Sequence, residues 1–246
     1  MQLDVANFIT IRLLEHMKVN LAELLLIVPN LVIKFRQRWN DRLIIYDIDK
    51  ICPKLRVFEN HHSQLQTEYR RIKNFNIPSY KSIDIIQKRI AQRSVNGAEW
   101  KVLMFEFAGR KFANNRKICP ITSNYLDQIP RIFQAFYSVL EAGKSIPSHR
   151  SPYNGYLRCH IGIDIPPINP PQLLISDELI EWQNGVAILI DDTWQHEVIN
   201  NSPQDRVVLI VDIARPMNQL GMAIHNVLSF MIRHTYARYV ASRSTL

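Results

Sequence analysis

The sequence predicts an α+β protein. An antiparallel barrel or jelly roll (a double-stranded β-helix) is set between a mostly helical N-terminal region and a C-terminal helix. Three observations predict it. From Trp100 onward, short runs of β-type residues alternate with turns rich in Pro, Asn and Asp. Before residue 96 and after residue 216 the apolar spacing turns helical. A chain of 246 residues, 47% hydrophobic and 21% charged, is globular and long enough to bury a core without disulfide staples. Collagen-like and disordered classes are thereby excluded.

The elements follow in order. Gln64 to Lys73 reads as a helix, and Ser82 as the cap of another whose Ile83, Ile86 and Ile90 share a face. The Asn96-Gly97 turn marks a boundary, giving regions 1–95, 96–216 and 217–246. Trp100 to Phe107 reads as a strand, after which Leu126, Ile129, Ile132, Phe133 and Phe136 recur at helical spacing. Further strands are expected over Tyr137–Leu140, Tyr156–Ile165, Val186–Ile190, His196–Asn200 and Arg206–Ile213. Met217 to Tyr239 returns to helix, and its stripe of Leu220, Ala223, Val227, Phe230 and Met231 reads as core packing.

Composition excludes several function classes. Only 7 glycines argue against a Gly-rich phosphate loop. The 3 cysteines are widely spaced with no CxxC, which excludes a zinc ribbon and favours a reducing compartment. The first residues lack the pattern of a signal peptide, and the apolar stretch Leu21 to Phe35 is broken by Glu23, Pro29, Asn30 and Lys34. The expectation is a cytoplasmic protein with no membrane span. The net charge is +8, but the basic residues fall in small scattered groups without a nucleic-acid module. They read as a solvated surface, and no nucleic-acid partner is expected.

Side chains alternate along a strand, so Tyr156, Arg158, His160, Gly162 and Asp164 share one face of theirs. Arg206 heads a strand that is apolar on both faces, where a charge needs a partner. That partner is either an internal Asp212 or Asp191, or a bound carboxylate matching the guanidinium fork. Of 8 histidines, His149, His160 and His196 lie in the β region, and imidazoles there can hold non-haem iron. A carboxylate two residues after the first ligand is missing, since Ser151 and Gly162 occupy those places. Asp164 lies roughly 13 Å along the strand from His160, too far to share its metal. Spacing alone does not choose which two histidines bind.

The segments WKVLMFEFAGR (Trp100 to Arg110), Cys119-Pro120, YSVLEAG (Tyr137 to Gly143), HRSPYNGYLRCHIG (His149 to Gly162), WQNG (Trp182 to Gly185), DDTWQHEVIN (Asp191 to Asn200) and RVVLIVDIARP (Arg206 to Pro216) resemble the aspartyl/asparaginyl β-hydroxylase family. Its members are Fe(II)- and 2-oxoglutarate-dependent dioxygenases and include lipid A hydroxylases. The resemblance implies His149 and His196 as the iron ligands, without a carboxylate. It implies Arg158 and His160 at one carboxylate of 2-oxoglutarate, Arg206 at the other, and Ser138 and Trp100 as further cosubstrate contacts. Asp192, placed before His196, is suited to hydrogen-bond an iron-bound water and replace part of the missing ligand charge.

The implied activity is hydroxylation by Fe(II), 2-oxoglutarate and O₂. The expected substrate is an Asp/Asn-type amino acid or peptide side chain, free or carrier-bound. Halogenation, lipid acyl hydroxylation and a non-catalytic jelly-roll binding module are the alternatives. The resemblance is silent on residues 1–95 and on the oligomeric state.

Overall fold

The computed structural model describes residues 25–35, 41–84, 91, 97–244 and 246. Ile86, Ile90 and Asn96 lie outside them. Helical residues 25–35 come first, followed by β1 (Ile45–Tyr46) and helices Ile48–Ile51, Arg56–Asn60, His62–Ile72 and Tyr80–Ile83. Then come β2 (Trp100–Phe107), β3 (Arg110–Lys111), helices Ala113–Ile118 and Pro120–Leu126, β4 (Ile132–Leu140), β5 (Ile146–His149) and β6 (Tyr156–Asp164). The chain continues through β7 (Gln172–Ile175), β8 (Glu178–Glu181), β9 (Ala187–Ile190), β10 (His196–Ile199) and β11 (Arg206–Ala214), and ends in helices Gln219–His234 and Tyr236–Arg243.

Two antiparallel sheets face each other, ordered β1-β9-β6-β11-β4-β2-β3 and β5-β10-β7-β8. Strands β4 to β11 pass alternately between the sheets in pairs, so β4 meets β11, β5 meets β10 and β6 meets β9. That is the connectivity of a jelly roll. The alternation of β11 sorts its side chains into two cores. Val208 and Ile210 face the smaller sheet, with Ile146, Leu173, Ile175 and Val198. Val207, Leu209, Val211 and Ile213 face a layer of helices carrying Leu55, Phe58, Leu65, Tyr69 and Leu126.

Four expectations need correction. The helical spacing from Leu126 to Phe136 spans a helix that ends at Leu126 and a strand that begins at Ile132. Strand β4 is buried on both faces, so its apolar residues lose the period-two signal. Ser82 lies inside the short helix Tyr80–Ile83, whose N-cap position is Ser79. Asp164 leaves the face of Arg158 and His160, because the ladder shifts register opposite it, and its carboxylate meets Gln66 and Arg70. The fourth concerns the stripe on Gln219–His234. Leu220, Val227, Phe230 and Met231 are exposed, while Gly221, His225 and Leu228 make the buried face.

Gly162 decides how the strands before and after the β8–β9 turn meet β6. The backbone of Gln183 lies against it, and an added Cβ would sit 2.1 Å from the Gln183 carbonyl oxygen. Gly185, at φ +75°, turns the chain there and donates its N–H to the Gly162 carbonyl. Backbone, not a side chain, is what a Gly162→Ala variant must displace. It is expected to lose about 1–3 kcal/mol of stability. Thermal unfolding reads this directly, and an unchanged midpoint would show that the turn can move aside.

Candidate active site between the two sheets

His149 on β5 and His196 on β10 are cross-strand partners, and their ring centroids stand 4.1 Å apart. Each ring is oriented by the same local device. Nδ1 of His149 donates to the Pro147 carbonyl at 2.8 Å, and Nδ1 of His196 to the Trp194 carbonyl at 2.9 Å. That fixes the tautomer and leaves Nε2 as the lone-pair nitrogen on both rings. Burial pushes His149 down to about 4 and, with His149 alongside, His196 down to about 3. Both imidazoles are therefore neutral at pH 7 and able to ligate.

The larger sheet supplies the opposite wall. Register places Asp212 of β11 directly across from Arg158 of β6. The guanidinium closes on that carboxylate with Nε–Oδ1 and Nη2–Oδ2 both 2.8 Å, and Gln134 donates to Oδ2 at 2.5 Å. Nη1 of Arg158 stands 3.1 Å from Asp192, a fully enclosed carboxylate whose oxygens accept no well-formed hydrogen bond among the described residues. Burial raises Asp192, outweighing the pull of Arg158, so proton and ion pair compete there. The resemblance gave Arg158 to a cosubstrate carboxylate. Its fork is already spent on Asp212, and only its remaining N–H groups can reach a ligand.

Arg206 is the contrast. It is 1% exposed, and no carboxylate lies within ion-pair distance of it among the described residues. Both internal partners named from the sequence are taken: Asp212 by Arg158, Asp191 by Arg215 at 2.7 Å. The guanidinium lies 4.2 Å over the Trp182 ring and donates Nη1 to Ser138 Oγ at 3.2 Å, while Nε has no partner among the described residues. Burial pulls Arg206 down to about 9, which leaves it cationic at neutral pH. Ser138 Oγ also accepts from Trp100 Nε1 at 2.9 Å, so its own O–H remains to be donated elsewhere.

His160 holds the second unmet donor. Trp182 donates Nε1–H to His160 Nδ1 at 3.1 Å, which puts the imidazole proton on Nε2, and that buried atom has no partner among the described residues. Burial, with Arg158 and Arg206 near, holds His160 well below the usual imidazole range, so it is neutral. The structure thus brings His149, His196, Arg158, His160, Arg206, Ser138, Trp100 and Asp192 to one space between the sheets. Trp182 is the residue that sequence reasoning missed. It orients His160 and underlies Arg206, and its signal was the aromatic opening the W-Q-N-G turn that Gly162 admits.

Among the described residues no group of three or more His, Cys, Asp and Glu side chains is placed to hold a metal ion. A metal here would rest on the two imidazoles, which fits an octahedral ion that leaves positions for a chelating ligand. The two orphaned donors, Arg206 Nε and His160 Nε2, fit an anion. Fold and site together define a jelly-roll protein with a two-histidine, arginine-lined centre.

The chain belongs to the aspartyl/asparaginyl β-hydroxylase family, whose sequence profile matches residues 59–216. That match starts before Trp100 and takes in the helix His62–Ile72. It is 32% identical over 162 residues to an ornithine lipid ester-linked acyl 2-hydroxylase of Rhizobium tropici, covering 65% of this chain and 56% of the relative. The human aspartyl/asparaginyl β-hydroxylase is 29% identical over 123 residues, covering 48% of this chain and 16% of that protein. A mouse aspartate β-hydroxylase domain-containing protein 1 is 33% identical over 126 residues, with 48% and 34% covered. The chain thus spans about half the length, or less, of these relatives. Among solved structures, a Pseudomonas putida prolyl-4-hydroxylase aligns with a TM-score of 0.43 at 12% identity, over 64% of this chain and 88% of that one.

The ion pairs separate structural from ligand-seeking arginines. Asp212→Ala leaves Arg158 only its contact with Asp192 and takes the acceptor from Gln134, and is expected to cost about 3–5 kcal/mol in urea unfolding. Arg206→Met breaks no ion pair and removes a buried, uncompensated cation, so its stability is expected to hold or rise. A destabilised Arg206→Met would reveal an internal partner.

Proposed function

We propose that the protein is an Fe(II)- and 2-oxoglutarate-dependent hydroxylase. The observation that carries this reading is the pair of neutral, fixed imidazoles facing a buried guanidinium that has no carboxylate within ion-pair distance among the described residues. His149 and His196 would hold iron through Nε2. Arg206, with the spare O–H of Ser138, would bind the distal carboxylate of 2-oxoglutarate, and His160 Nε2–H the other end, helped by the remaining N–H groups of Arg158. When bound, iron, 2-oxoglutarate and O₂ supply the oxidising power for C–H hydroxylation, with 2-oxoglutarate decarboxylated to succinate and CO₂. The chain's own part is orientation and charge. Trp182 and Trp100 fix the donors, the two sheets exclude water, and Asp192 holds or releases a proton beside the ligand pair.

For the substrate, the reading we favour is the acyl chain of an amino-acid-containing lipid. It is supported by the 32% identity over 162 residues to a relative named for ornithine lipid acyl 2-hydroxylation and by exposed apolar helices beside the site. An Asp/Asn-type amino acid or peptide side chain stands as the second reading, supported by the name of the human relative. A mass-spectrometric screen of aminoacyl lipids, free amino acids and Asp/Asn peptides for gain of one oxygen decides between them. Succinate formation separates either from a binding module, and chloride incorporation would reveal halogenation.

His149→Ala and His196→Ala are each expected to abolish iron-dependent succinate formation, because two ligands leave no redundancy. His160→Ala is expected to keep iron while raising the 2-oxoglutarate requirement. Iron titration settles the assignment, which fails if His160→Ala loses the metal and His149→Ala keeps it. Arg206→Met removes a charge-assisted contact of roughly 1.5–3 kcal/mol, or about a 10- to 150-fold weaker cosubstrate. Calorimetric titration of 2-oxoglutarate measures it.

A further inference from the structure

Two helices present apolar side chains to solvent, and both are tied to one short loop. In residues 25–35, Leu26 and Ile33 are buried, but Leu25, Ile27, Val28 and Leu31 are 48–66% exposed. In Gln219–His234, Leu228 and His225 face the core, while Leu220, Val227, Phe230 and Met231 are 47–64% exposed. These positions recur at helical spacing, so each helix carries a second apolar face opposite its packed one. Contiguous exposed apolar surface of this kind marks an interaction site.

The tie is the segment that follows His149. Asn30 donates Nδ2–H to the Pro152 carbonyl at 2.9 Å, and its Oδ1 accepts the Asn154 N–H at 2.9 Å. Between those two residues, the Tyr153 hydroxyl meets His225 Nδ1 at 3.0 Å, with the two rings stacked 5.8 Å apart. Both exposed faces are therefore anchored within five residues of an iron-ligand candidate.

The sequence of the second helix and of the chain after it carries charge of one sign. From Met217 to Leu246 the sequence contains no Asp or Glu, while Arg233, Arg238 and Arg243 follow the apolar stripe. All three are exposed. The whole chain carries +8. An apolar face rimmed by cations matches the headgroup–acyl boundary of an anionic bilayer, where the apolar side chains enter and the arginines stay at the phosphates. Among the described residues no helix is long and apolar enough to cross a membrane, and a helix lying in the interface needs no such length.

We propose that residues 25–35 and Gln219–His234 form a docking face for an anionic lipid bilayer, setting the loop 151–154 and the His149–His196 centre at the membrane surface. A lipid-linked substrate would then be taken from the plane of the bilayer. That purpose rests on the lipid reading above; the docking itself does not.

The test is cosedimentation of the full chain with vesicles of pure phosphatidylcholine or of equimolar phosphatidylcholine and phosphatidylglycerol. Binding to the mixed vesicles is expected, weakened at high salt, and at least about tenfold lower on the neutral ones. Val227→Ser/Phe230→Ser and Val28→Ser/Leu31→Ser should each lower partitioning by about tenfold or more with unchanged melting temperature, because these side chains are already in water. Arg238→Ala should lower it by about fivefold on anionic vesicles and leave neutral ones unaffected. Failure to bind, or binding indifferent to the apolar substitutions, overturns the proposal. So does a dimer, seen by light scattering, that the same substitutions dissociate, since a second copy then covers the face. Succinate formation measured without vesicles keeps the readings apart. Vesicle binding without succinate sinks the chemistry alone, and succinate without vesicle binding sinks the docking alone.

Discussion

A cation buried without its counter-ion is the constraint on which this site depends. Arg206 is enclosed by β4, β11 and the Trp182 ring, and among the described residues the only oxygen it donates to is a neutral hydroxyl. An arrangement of that kind is destabilising by itself, and it persists only where the surrounding fold carries the strain. Strand β11, paired along its length on both sides, is the element best able to do so. The free energy withheld from folding is then available to an anion that enters the space between the sheets.

The neighbouring carboxylates are paired with other arginines. Asp212 and Asp191 are both fully buried, and each is closed on an arginine of its own. Arg215 also holds the Asn154 and Tyr156 carbonyls, which fixes the loop after His149 to the end of β11. Arg158 stands between the two regimes. Its pairing with Asp212 is structural, and its contact with Asp192 reaches into the site. A carboxylate that binds near Arg158 therefore meets a guanidinium already oriented, with no rearrangement of its stem.

Much of this was legible in the sequence, and the failures have definite causes. The strands Trp100–Phe107 and Arg206–Ala214 stood out because β-branched and aromatic runs end in turn residues. Strand β4 did not, since burial on both faces erased its alternation and left helix-like spacing. The strands β5, β7 and β8 did not stand out either: β5 contains Pro147, β7 follows Pro170 and Pro171, and β8 is mostly exposed with Glu at both ends. Motif spacing brought the site residues into view, whereas their pairing depends on register. Nothing in the sequence decided that Asp212 opposes Arg158 and leaves Arg206 open. The stripe on Gln219–His234 was misread because periodicity reveals which residues share a face and not what covers it.

The same reasoning explains why the apolar surface and the polar centre sit so close together. The loop from Ser151 to Asn154 is fastened on one side by Asn30 and His225, and on the other by Arg215 and by the Ser151 N–H to the Asp192 carbonyl. Its neighbours are thus the two exposed helices outside and the two carboxylates Asp191 and Asp192 inside. A force applied to the helices by a bound surface has a short path to His149, through the hydrogen bonds of Asn30 and His225 and then along the loop. On the proposed function, the apolar portion of a lipid-linked substrate and the charges of the cosubstrate would be received on opposite sides of one fixed segment.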